Sequence, residues 1–161
     1  TSLSVGTWIT IQKESGVRVL VDHNTFFDNA SVIEKVNAVT TKVLEEKPEH
    51  LRRFTAAIVK ASRHFAENQE AWVAAITKRR PDVDRNDVAN LWNGFRTAWA
   101  VNGLMNLEAY KKSADFLYQA GILDKVPKIE VAEWADTRFV DGVLREIGVS
   151  AKTDPTGRAA R

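Results

Sequence analysis

The feature that most constrains this chain is a change of hydrophobic period at Thr41. Upstream, Val17, Val19 and Val21 alternate with Arg18 and Leu20 after Gly16, and Val36, Ala38 and Thr40 alternate within Glu34 to Thr41. A period of two predicts two short strands. Downstream the period is 3.6. Leu51, Phe54, Ile58, Ala61 and Phe65 share one face of a helix that Pro48 can open, since proline is tolerated in a first helical turn.

Further helices carry their own punctuation. Gln69 to Arg79 stops before Pro81, and Asp84 caps a helix bearing Val88, Leu91, Trp92, Phe95 and Trp99. Asn106 caps Leu107 to Ala120 with Gly121 as the C′ residue, and Asp136 caps Thr137 to Ile147, which Gly148 ends. Side-chain caps at the start and glycine just past the end are the expected signals. Ser4 similarly caps a short helix over Val5 to Lys13, and the tail after Val149, with Pro155 and Gly157, is expected to fray. The expected class is therefore α/β and helix-rich. Two strands followed by four or five helices is an odd inventory for a complete domain, because a two-stranded sheet is marginal alone. The order of elements reads like the second half of something larger.

Composition narrows the functions. With 161 residues, 44% hydrophobic and 27% charged, the chain can bury one ordinary core and has no apolar run of the ~20 residues that span a bilayer. The 23 basic and 21 acidic residues include Lys152, Arg158 and Arg161 against Asp154 in the last fourteen, so Thr1 to Ile147 carries 20 of each sign. A neutral body argues against nucleic acid as a partner, which requires clustered positive charge. Zero Cys excludes disulfides, thiolate metal sites and thiol catalysis. Thr1 in place of Met leads to the expectation that any signal peptide has been removed.

Four segments resemble a known family. VLEEKPEHLRRFTAAIVKASRHFAENQEAW from Val43 to Trp72, NGLMNLEAYKKSADFLYQAGILDKV from Asn102 to Val126 and EWADTRFVDGVLREIG from Glu133 to Gly148 follow GVRVLVD from Gly16 to Asp22. Their order and spacing resemble the C-terminal half of substrate-binding proteins of ABC importers for sulfonates, nitrate and thiamine precursors. The resemblance implies a partial type II periplasmic-binding-protein-like fold: residues 1–32 ending a second α/β lobe, 33–147 returning to and packing on a first lobe, 148–161 a flexible tail, and the N-terminal half of the fold missing. It implies a periplasmic or extracytoplasmic protein that binds an anionic or aromatic small molecule by hinge closure and hands it to an ABC permease. No enzymatic activity and no cofactor are expected on this reading. The same family includes thiamine-pyrimidine synthases, so an enzyme is one alternative; a stand-alone helical interaction module is the other.

Two segments are candidate ligand sites. TSLSVGTW places the hydroxyls of Thr1, Ser2, Ser4 and Thr7 at the mouth of a short helix, where free N–H groups suit an anion, with Trp8 as an apolar wall. The loop DHNTFFDNA offers Asp22 and His23 as polar groups and Phe26 as a stacking surface after a strand end. The plain reading of both is a Ser cap, a core Trp and polar turn residues. Asp22, His23 and Asp28 lack a second nearby His, so no metal is expected. His50 and His64 lie fourteen residues apart on one helix, ~20 Å by helix rise, and read as surface residues. Trp72, Trp92, Phe95 and Trp99 have the spacing of core packing, and Lys78, Arg79 and Arg80 suit a helix C-terminus. No nucleophile elbow, phosphate-binding glycine loop or carboxylate pair occurs.

Overall fold

A computed structural model describes residues 11, 13–22, 25, 36–96, 99–103, 107–128 and 130–150. Its described elements are helices: α1 (Thr41–Glu46), α2 (Pro48–Glu67), α3 (Gln69–Arg79), α4 (Arg85–Phe95), α5 (Leu107–Gln119), α6 (Val131–Trp134) and α7 (Arg138–Ile147). Among the described residues there is no strand, which overturns the expected α/β class and with it the partial periplasmic-binding-protein fold.

Both expected strands fail for the same reason. Val17, Val19, Leu20 and Val21 are exposed and irregular, as are Val36 and Val39. Alternation makes a segment competent to pair, but among the described residues neither has a neighbouring strand, so no ladder forms. The second segment instead leads into a helix. Thr40 is extended, with φ −74° and ψ 154°, and its hydroxyl accepts from Val43 N, so it is the N-cap of α1.

The helix boundaries follow local chemistry. Pro48 occupies the first turn of α2. Asp84 accepts hydrogen bonds from the backbone N–H of Asn86 (2.8 Å) and Asp87 (3.1 Å) and so starts α4. After α5, Gly121 at φ +70° closes the end, its N–H donating to Tyr118 O and that of Ile122 to Leu117 O, both at 3.0 Å. That pair of bonds is the Schellman pattern, and glycine meets its left-handed residue without a Cβ penalty. The N-cap of α7 is Thr137 rather than Asp136, whose carboxylate just before it accepts from Arg138 N (2.9 Å), and Gly148 follows that helix at φ +76°. Asn106 and Ser4 lie outside the described residues.

Two packing centres organise the chain. Between α2 and α7, Val59, Val140, Val143 and Leu144 form a buried cluster with Ala56 and Ile147 against it. Between α3 and α4, Val73 and Val88 are buried. Trp92 is buried too, its indole N–H donating to Phe65 O (2.7 Å) and tying α4 to α2. Trp99 lies beside Phe65 and Trp72, with ring centroids 6.4 and 5.8 Å away. Trp72, Trp92 and Trp99 thus pack as expected, but α4 ends at Phe95, so Trp99 lies beyond the helix expected to carry it. The short helix α6 packs on α5, where Trp134 tilts against the buried Tyr110 at 5.4 Å.

The orientation of α2 differs from expectation. Phe54 is 49% exposed and Ile58 41%, whereas Val59 is 1% exposed. Val59 stands about 140° around the helix from Phe54, so the Phe54–Ile58 part of the stripe expected in the core faces outward and the opposite side meets α7, while Phe65 at the stripe's far end packs beside Trp99.

Several surface carboxyls carry cationic partners. The side-chain hydrogen bonds from Arg52 to Glu49, Arg80 to Asp82, Lys128 to Asp115 and Arg138 to Asp136 hold each carboxyl below its ordinary range. A depressed folded-state pKa contributes stability that is fully present above the unfolded value and is lost as pH falls through the folded one. Urea midpoints are therefore expected to be level down to about pH 5 and to fall below about pH 4, with Asp136→Asn showing a shallower acid limb.

Candidate functional site

Of the residues singled out as ligand contacts, the structure describes Asp22. Its carboxylate, exposed, accepts from Thr25 N (3.1 Å) and Thr25 Oγ1 (2.9 Å), bonds of the kind polar loop residues make to nearby main chain. Thr1, Ser2, Ser4, Trp8, His23 and Phe26 lie outside the described residues.

The densest polar arrangement joins three segments. Arg63, on α2, donates Nε–H to Val101 O (2.8 Å) and its Nη2 group to Asn102 Oδ1 (3.0 Å) and Gly148 O (2.7 Å). Asn102 is fully buried; its Oδ1 accepts from Ser150 N (2.8 Å) and its Nδ2 donates to Ser150 O (3.1 Å). A primary amide meeting both backbone groups of one residue imitates one rung of a β-ladder. The guanidinium fork in turn reaches Ile147 O (3.5 Å) and Gly148 O at the C-terminus of α7, where positive charge also suits the helix dipole. These groups are held by one another and by main chain. They lock α2, the 101–103 segment and residues 148–150 together.

Among the described residues no three His, Asp or Glu side chains gather to hold a metal, and no buried side-chain polar atom lacks a hydrogen-bond partner. Asp87 is buried, but Lys13 Nζ lies 2.6 Å from its Oδ1. Burial pushes the Tyr110 phenol above its ordinary pKa, with no base placed against it by any described contact. No described helix is long and apolar enough to cross a membrane.

What stands out is the outward face of α2. Phe54 and Ile58, four residues apart, form a ridge. Ala57, exposed, and Ala61, half-buried, form a low row beside it. His50, Arg53, Lys60 and His64 are exposed along one edge of this stripe, within about 80° of arc at 100° per residue. Leu51, Thr55 and Ser62 on the other edge are half-buried. Glu49 is taken up by Arg52, whose Nε and Nη2 each reach it at 2.9 Å. Among the described residues neither Arg53 nor Lys60 belongs to an ion pair. The sequence showed this apolar periodicity but not its direction, because a helix with two apolar sides does not say which one its neighbour takes.

Comparison of the chain with protein-family models, with curated proteins and with solved structures finds no match.

Proposed function

We propose that this chain is a helical protein-binding module that uses the outward face of α2. One observation carries the reading. The Phe54–Ile58 ridge lies in solvent on a helix whose opposite side already holds the α2–α7 core. An i, i+4 apolar pair beside small residues is the surface into which another helix packs. Binding rather than catalysis also accords with the locked state of the Arg63–Asn102 group. The importer reading drew on a two-lobed α/β frame, and no described feature favours it over the helical one.

The test is a panel of amphipathic helical peptides with acidic, neutral and basic flanks, titrated by fluorescence anisotropy, alongside sedimentation equilibrium of the chain alone. Binding of at least one peptide, or self-association, that Phe54→Ser with Ile58→Ser abolishes is the expected result. A monomer that binds none of them would refute the module.

A further inference from the structure

The charge pattern around the α2 stripe narrows the partner, and we infer that it is an acidic amphipathic helix. This rests on the reading of α2 as a binding face. The ridge of Phe54 and Ile58 and the low row of Ala57 and Ala61 run parallel along the helix. Side chains of an incoming helix fit between such rows, whereas an extended peptide would present its residues at a period of two and leave its backbone groups without a sheet edge. Shape therefore selects a helix.

Charge selects its sign. The edge holding Arg53 and Lys60 is cationic, and Lys47 stands exposed at the head of the stripe. The nearest acid on that side of the first turns, Glu49, is engaged by Arg52, which also reaches Glu146 on α7 at 3.0 Å. Glu67, the remaining acid on that side, sits at the far end of the helix. A partner whose apolar stripe is bordered by Asp or Glu would meet Arg53 and Lys60 with opposite charge, raising its association rate and fixing its register.

A second copy of this chain fits less well. In an antiparallel pairing of two α2 helices the same edges meet, bringing Arg53 and Lys60 against their counterparts. In a parallel pairing they face the uncharged Leu51, Thr55 and Ser62 edge. The antiparallel arrangement adds only Glu49, already held by Arg52, and Glu67 at the far end of the helix, and like charges across an interface disfavour it.

The experiment uses the whole chain and two synthetic helical peptides with the same Leu stripe, one flanked by Glu and one by Lys, titrated by anisotropy at low and at 0.5 M salt. The Glu peptide is expected to bind at least tenfold more tightly than the Lys peptide at low salt, with the preference shrinking at high salt. Arg53→Glu with Lys60→Glu should invert the preference, and Phe54→Ser with Ile58→Ser should weaken the Glu peptide at least tenfold while the circular dichroism melt is retained. Equal binding of both peptides, or self-association through the stripe with no peptide binding, would overturn the acidic partner and leave the binding face standing. Indifference of every ligand to the Phe54 and Ile58 changes would overturn both.

Discussion

Replacing Gly103 by Ala is expected to cost about 3 kcal/mol. Gly103 has φ +63°, and an added Cβ would lie 2.7 Å from Val59 Cγ2 and 3.1 Å from Val140 Cγ2. Left-handed backbone costs an L-residue roughly 1–2 kcal/mol, and overpacking a filled core costs about 1–3 more. Both valines belong to the α2–α7 cluster, so neither gives way without disturbing the other. Gly121 separates the two effects, because its φ is +70° with nothing within 4 Å of an added Cβ. Gly121→Ala should lose only the backbone part, about 1 kcal/mol. Urea unfolding of the two variants measures the difference, and equal losses would mean that the 103 segment does not press on the core.

Asn102→Ala should be of similar size, about 3 kcal/mol, for a different reason. It deletes the two bonds to the Ser150 main chain and the acceptor for Arg63 Nη2 at a fully buried position. Removing one partner from buried polar groups costs more than the net value of the bonds, because the remaining groups have already left water. For a chain of this length the loss corresponds to a melting temperature lower by about 10 °C. Amide hydrogen exchange localises it: Ser150 should lose protection while the α3–α4 amides keep theirs. Uniform loss across the chain would show that Asn102 acts through global stability rather than by holding residues 148–150.

These two positions also show what the sequence could not reveal. Helix ends were legible because their chemistry is local. Pro48, Asp84, Gly121 and Gly148 each act within a turn of where they stand. The strands at Val17 to Val21 and Val36 to Thr40 were misread because alternation is a local property while a strand requires a partner. Arg63 carries no signal of its role in the sequence, since its acceptors include the main-chain carbonyls of Val101 and Gly148 and a carbonyl leaves no mark in a sequence. Asn102, at the head of the Asn102 to Val126 segment, is equally silent, because its partner is the main chain of Ser150. The outward stripe was half legible: its residues were seen, and its direction was decided by α7, whose Val140, Val143 and Leu144 match Val59 and Ala56 instead.

The direction of α2 underlies both the fold and the binding face, and a three-variant comparison of urea unfolding tests it. Val59→Ala is expected to lose about 2 kcal/mol for two buried carbons and the cavity left behind. Phe54→Ser and Ile58→Ser should each stay within about 0.5 kcal/mol of the parent chain, as exposed positions do. The reverse order, with Phe54 and Ile58 costly and Val59 nearly neutral, would put the Phe54 face in the core and contradict the account.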